Sequence, residues 1–171
     1  IINSVAAAAA AHNAGASPEF ITKGLMEFGG AKRRFEIIGK EKGITIADDY
    51  AHHPAEISVT LNAAMQMGYK NVWAVFQPFT FSRTALLKDE FIEALSIADK
   101  VILTPIMGSR EINSYGISSK DIADGLSQCV CVDNFDEAVE QIMSVAGKND
   151  IVITMGGGDV YKIAKIILDK E

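Results

Sequence analysis

An α/β protein is what this sequence predicts: a mostly parallel sheet with helices on both faces, preceded by a β-hairpin and a short helical hairpin. Three observations carry the prediction. Four short apolar runs rich in β-branched residues, at 72–76, 101–104, 129–132 and 151–155, read as buried strands. A helical segment lies in each connection between them, which is the signature of parallel strands joined by crossovers. Ahead of them, runs at 34–39 and 43–47 flank the charged turn Lys40-Glu41-Lys42 and read as a hairpin.

Residues 3–14 are alanine-rich and break at Gly15, so they read as a first helix. Ser17-Pro18-Glu19 supplies an N-cap followed by proline at the first helical position, and Phe20, Ile21, Gly24, Leu25 and Phe28 recur behind it at helical spacing. Such a pair buries little surface by itself and is expected to belong to a preceding domain. Gly29-Gly30 closes it, which puts the boundary between residues 1–30 and 31–171. The later helices are expected to start near Pro54, Arg83, Ser118, Phe135 and Asp159. In an open α/β sheet, ligands bind beyond the carboxyl ends of the strands. The loops there are 48–54, 77–82, 105–116, 133–134 and 156–159, and most of the unusual side-chain chemistry lies in them.

The 171 residues suffice for one domain with a core, or a domain plus a fragment, and the chain, which opens on Ile, reads as cut from something longer or renumbered. A net charge of −6 argues against non-specific binding to nucleic acid or anionic membrane, although clustered bases can still build a local anion site. No apolar run is long enough to span a bilayer and no signal-peptide pattern opens the chain. Cys129 and Cys131 alternate with valines, which places them on one strand face as buried, reduced thiols, and a cytoplasmic setting is expected from them.

The stretch Asp48-Asp49-Tyr50-Ala51-His52-His53-Pro54 joins a strand to a helix and concentrates ionisable groups. It reads either as a site, with a metal as one option, or as a turn in which Asp49 is an acceptor and His53 a helix cap. Gly156-Gly157-Gly158-Asp159 opens the last helix, either as an anion cradle or as a tight turn capped by Asp159. Arg83 stands at a helix start, where the macrodipole disfavours a cation, so an anionic ligand is its better explanation. Lys32-Arg33-Arg34 is either a solvated charge run or a set of bases reaching a nucleotide, and Gly108-Ser109-Arg110-Glu111 reads the same way more weakly.

Lys32-Arg33-Arg34-Phe35-Glu36, the aspartate–histidine stretch, Gln77-Pro78 through Ser82-Arg83-Thr84, and Gly156-Gly157-Gly158-Asp159 occur here in the order in which similar strings occur in Mur ligases. The chain therefore resembles that family over essentially its whole length, and it corresponds to about the last third of such an enzyme. The resemblance is strongest to the branch that joins L-alanine to UDP-N-acetylmuramate in peptidoglycan precursor synthesis, with murein peptide ligases as the nearest alternative. It implies a three-domain ATP-dependent ligase in the bacterial cytoplasm, with this chain as its Rossmann-like C-terminal domain and residues 1–30 as the end of the central ATPase domain. The reaction it implies has two steps: a muramoyl carboxylate takes the γ-phosphoryl group of ATP, and the alanine amine then displaces phosphate. The resemblance places Asn3, Arg34, Asp49 and His53 on the ATP side, and Tyr50, His52 and Arg83 on the substrate side, with Arg83 holding the alanine carboxylate. It does not separate the roles of the two histidines. Mg²⁺ ligands and the phosphate-binding lysine are expected in the central domain, so the chain alone is expected to be inactive. Phe79 departs from the family's usual histidine and can stack but not hydrogen-bond. Two rival readings are a free-standing nucleotide-binding module without catalysis and a purely structural interaction domain.

Overall fold

The computed structural model describes residues 2–169. The chain divides into two compact units, Ile1–Ala31 and Lys32–Glu171. The first contains α1 (Ile2–Asn13) and α2 (Pro18–Glu27). Gly15 turns the chain between them at φ 91. Ser17 takes the extended backbone of an N-cap and Pro18 the first helical position, but the serine hydroxyl makes no capping bond, contrary to expectation. No residue of α2 is buried, and Phe20, Met26 and Phe28 stand exposed on it and just beyond.

The second unit is built on a six-stranded sheet of order β1-β2-β6-β3-β4-β5, mostly parallel as expected. Its strands are β1 (Glu36–Glu41), β2 (Ile44–Asp49), β3 (Val72–Phe76), β4 (Lys100–Leu103), β5 (Cys129–Cys131) and β6 (Ile151–Met155). β1 and β2 form the antiparallel hairpin. Its turn is Lys42-Gly43, both at positive φ (48 and 83), rather than the expected Lys40-Glu41-Lys42. Two left-handed residues match the twist of paired strands, so the ladder extends to Glu41.

Helices α3 (Pro54–Met65), α4 (Phe81–Leu86), α5 (Lys88–Leu95), α6 (Lys120–Ala123), α7 (Phe135–Val145) and α8 (Tyr161–Ile167) fill the connections and the end of the unit. The helix expected near Arg83 begins two residues earlier and breaks at Leu87, whose φ of −113 is not helical. One core cluster joins Ile57 and Leu61 of α3, Phe91 and Leu95 of α5 and Ile122 of α6 to one sheet face. The other joins Ile142 of α7 and Ile163 of α8 to the opposite face. Connections that step rightward across the sheet thus use one face, and the return from β5 to β6 uses the other, as right-handed crossovers require. β6 lies between β2 and β3, so the loops leaving β2 and β3 go to one face and the loop leaving β6 to the other. That divergence opens a crevice at the carboxyl ends of β2, β6 and β3.

The cysteines correct the sequence expectation. Cys129 is half-buried against the first cluster, and Cys131 is exposed. β5 is a three-residue edge strand, too short to be covered along its length. Burial, with Cys131 nearby, pushes the Cys129 thiol up to about 12, so both thiols stay protonated and Cys129 is a poor nucleophile.

At the opposite end of the sheet, Asp150 is 2% exposed and accepts from Asn71 Nδ2 (2.7 Å), Trp73 Nε1 (3.1 Å) and Gly147 N (3.0 Å). Asp150→Ala strands three donors and is expected to destabilise the fold by about 2–4 kcal/mol, read by urea melts. A loss below about 1 kcal/mol contradicts this assignment.

Candidate functional site

Strand period places adjacent side chains on opposite faces, and Asp48 and Asp49, the last two residues of β2, obey it. Asp48 accepts from Thr154 Oγ1 at 2.6 Å and from Arg33 Nε at 2.8 Å. Asp49, 6% exposed, accepts from Phe35 N (2.8 Å) and Thr60 Oγ1 (3.2 Å) on Oδ2 and from Ala51 N (2.8 Å) on Oδ1. Three of about four carboxylate acceptor positions are therefore occupied within the fold.

Beyond β2 the two histidines take different roles. The Pro54 ring keeps His53 out of helical geometry (φ −118, ψ 143), and His53 caps α3, its Nδ1 accepting from Ala55 N at 3.4 Å. Its other nitrogen is then a donor. His52 Nδ1 lies 3.0 Å from the Tyr50 carbonyl, which can only accept, so His52 carries its proton there and leaves Nε2 as an acceptor when neutral. Glu56 accepts from His52 N at 3.0 Å and lies 3.5 Å from His52 Nδ1. Burial acts to raise the Glu56 carboxyl, but that N–H and the charge His52 carries when protonated outweigh it and hold the group below its usual range.

Arg33 and Arg34 part company although adjacent. Arg33 points inward, its guanidinium donating to Gly156 O (2.9 Å) and Gly158 O (3.4 Å) besides Asp48. It lies 5.0 Å from the ring centroid of Tyr50 and 4.8 Å from that of Tyr161. Arg34 is exposed, 5.8 Å from the Tyr50 centroid. With Asp49, Ala55, Glu56, Val59 and Thr60 it lines a groove of about 370 Å³.

The triple-glycine loop leans on β3. Gln77 donates to Asp159 Oδ1 at 3.2 Å and accepts from Asp159 N at 3.0 Å. Asp159 also pairs with Lys162 Nζ at 3.0 Å and is not the N-cap of α8, which is Val160, so the alternative in which Asp159 caps the helix is not what the structure shows. Burial acts to raise the Asp159 carboxyl, but its bonds to Lys162 and Gln77 hold it low. A Cβ on Gly158 would overlap Gln77 Oε1 and Met107 Sδ, whereas one on Gly157 would meet only His52 and Tyr50 at ordinary contact distance. Gly158→Ala is expected to cost about 1–3 kcal/mol of stability and Gly157→Ala less than about 0.5, read by thermal melts. Equal losses at the two positions would contradict this packing.

After β3, Phe79 bridges Met107, and Thr80 is held at φ 67, ψ 139 by its N–H to Met107 O (2.9 Å). Non-glycine residues rarely adopt that backbone, and such strain collects at functional sites. Glu111 supplies the acid that the start of α4 lacks, accepting from Ser82 N (2.9 Å) and Oγ (2.6 Å). The Ser82 hydroxyl, then its N–H, hold the Glu111 carboxyl below its usual range, with Arg83 contributing. Among the described residues, Arg83 Nη1 is buried without a hydrogen-bond partner.

The fold brings Arg34, Asp49, Tyr50, His52 and His53 together at the end of β2, and Arg83 follows β3 across β6. Asn3 stands in the first turn of α1, in the other unit. Sequence reasoning assigned no individual role to Arg33, Asp48, Gln77, Glu56 or Glu111. Only Asp48 carried a usable signal, the two-residue period at the end of an apolar run. Among the described residues, no three His, Cys, Asp or Glu side chains gather as a metal site.

Residues 33–158 match the family described as Mur ligase, glutamate ligase domain. The UDP-N-acetylmuramate–L-alanine ligase of Caldicellulosiruptor saccharolyticus is 44% identical over all of this chain, and that of Lachnospira eligens 44% identical over 98% of it. The chain spans 38% of the length of each. Among solved structures, the UDP-N-acetylmuramate–alanine ligase MurC of Thermotoga maritima matches with a TM-score of 0.80 at 26% identity, covering 98% of this chain and 36% of that one. The murein peptide ligase of Psychrobacter arcticus matches with a TM-score of 0.69 at 25% identity, covering 98% and 35%.

Proposed function

The chain belongs to the Mur ligase family, in its glutamate ligase domain, and from that premise we propose that it is the C-terminal domain of an ATP-dependent ligase joining L-alanine to UDP-N-acetylmuramate in the bacterial cytoplasm. The observation that carries this reading is Arg83 Nη1, a buried cationic donor with no hydrogen-bond partner among the described residues. Burying an unpaired polar group costs about 1–3 kcal/mol, a cost that a ligand anion offsets. The guanidinium fork suits a carboxylate, and an amino acid supplies one.

The groove beside Arg34 fits the nucleotide. Its volume of about 370 Å³ lies within the range of small-molecule sites, about 300–1,000 Å³. Arg34 would meet phosphate oxygens, while Asp49, through its remaining acceptor position, and Glu56 suit ribose hydroxyls. His53, with Nδ1 engaged by the helix, offers a second donor to an anion. ATP, when bound, supplies the phosphoryl group that activates the muramoyl carboxylate, with Mg²⁺ screening its charge through ligands expected from the central domain. This chain's residues bind and orient: Arg83 fixes the amino-acid carboxylate, Tyr50 walls the crevice, and His52 presents Nε2 as an acceptor for an amine proton. Residues 1–30 would then belong to the central ATPase domain, with Asn3 on the adenine side.

Phosphate release by the complete ligase tests the proposal. It should require both UDP-N-acetylmuramate and L-alanine, and the 171-residue chain alone should release none. Turnover with L-alanyl-γ-D-glutamyl-diaminopimelate in place of alanine would instead favour the ligase class named for a Haemophilus ducreyi neighbour.

A further inference from the structure

We propose that Arg33 is a positioning residue of this ligase site, acting through Tyr50 and Arg34 to hold the amino-acid and nucleotide sides of the crevice in one geometry. The inference rests on the ligase reading above.

Arg33 is not placed to bind a ligand anion itself. Its Nε is engaged by Asp48 at 2.8 Å, and its terminal nitrogens reach Gly156 O at 2.9 Å and Gly158 O at 3.4 Å. Tyr50 and Tyr161 lie against it, with centroids at 5.0 and 4.8 Å. Asp48 is itself fixed by Thr154, so the anchor is rigid. One guanidinium thus joins the segment entering β1, the end of β2, the glycine loop after β6 and the first residue of α8. These elements surround the crevice at the switch in strand direction.

The backbone shows what this arrangement serves. Arg33 and Phe35 both adopt left-handed conformations, at φ 56 and 48. Such conformations are unfavourable for residues with a side chain and persist only when their surroundings over-determine them. Here they are over-determined: Arg33 N donates to Glu36 Oε2 (2.8 Å), Tyr50 N to Arg33 O (2.8 Å) and Phe35 N to Asp49 Oδ2 (2.8 Å). Phe35 packs against the core, Arg33 turns inward, and Arg34 between them is presented outward over Tyr50 and along the groove. The same hydrogen bond that closes this turn, from Tyr50 N, fixes the backbone of the residue whose ring Arg33 contacts. Arg34 and Tyr50 are therefore set by one device. A lysine at 33 could keep the charge opposite Asp48, but not the planar fork that reaches two carbonyls and lies against two rings.

The test uses the complete ligase with Arg33→Lys, Arg33→Met, Tyr50→Ala and the double variants, measuring kcat, both KM values and melting temperature. Wild-type enzyme without alanine-dependent phosphate release would refute the ligase reading itself, whatever Arg33 does. Given that activity, Arg33→Lys is expected to raise KM for alanine about tenfold and KM for ATP several-fold, with kcat within about threefold. In the Tyr50→Ala background, the same change is expected to add less than about twofold to KM for alanine, because the two residues act as a unit. Arg33→Met is expected to match or exceed Arg33→Lys. If it does not fold, the conclusion rests on Arg33→Lys, which retains the ion pair with Asp48. Unchanged KM values in Arg33→Lys, with or without a lower melting temperature, overturn the proposal. So does a full tenfold effect persisting in the Tyr50→Ala background.

Discussion

Arg83→Ala in the complete ligase is expected to lower kcat/KM for alanine about a hundredfold while leaving KM for ATP within about twofold. A charge-assisted contact to a guanidinium is worth about 2–3 kcal/mol, and each 1.4 kcal/mol is a factor of ten. Stability should move the other way. Arg83 Nη1 is buried without a hydrogen-bond partner among the described residues, so removing that nitrogen relieves a desolvation cost, and the variant should melt at or above the wild-type temperature. Gain in stability with loss of substrate affinity marks a residue held for a ligand. Arg83→Lys should recover little, since an ammonium cannot reproduce a two-point contact with a carboxylate. An Arg83→Ala enzyme that melts earlier and keeps its KM for alanine would make Arg83 a structural residue and remove the main support for the amino-acid site.

Asp49→Ala has the opposite expected signature, lowering stability and nucleotide affinity together. Three donors converge on this carboxylate from Phe35, Ala51 and Thr60. Stranding them should cost about 3 kcal/mol, and KM for ATP should rise at least about tenfold because Phe35 and Arg34 lose their anchor. Asp49→Asn should not rescue it. Both carboxylate oxygens accept a backbone N–H, and an amide has only one oxygen to offer. Arg34→Ala is the control: exposed at the groove, it should weaken ATP about tenfold with little change in melting. Normal melting and normal KM for ATP in Asp49→Asn would end the argument for this carboxylate.

The paired signatures explain how far the site could be read before the fold was known. The 48–54 loop and Arg83 stand out because each follows an apolar run that marks a strand, and the resemblance singles out Asp49, Tyr50, His52 and His53 within that loop. The distinction between Asp48 and Asp49 lies one step further, in the two-residue period. The resemblance singles out Arg34, but the inward-facing role of Arg33 was not legible. It depends on left-handed backbone at Arg33 and Phe35, which no propensity favours and which only the bonds to Glu36, Asp49 and Tyr50 sustain. Glu111 was equally hidden, since it caps α4 from a loop 29 residues away.

By itself, the sequence determined the types of the elements, the hairpin, the parallel crossovers and the loops that gather at one end of the sheet. Those features follow from periodicity and side-chain shape, which act between near neighbours along the chain. Only the tertiary structure decided that β6 inserts between β2 and β3, that Arg33 reaches a carbonyl 123 residues away, and that Arg83 Nη1 is buried without a hydrogen-bond partner among the described residues. Contacts at such separation depend on the simultaneous packing of both sheet faces, which no local stretch of sequence specifies.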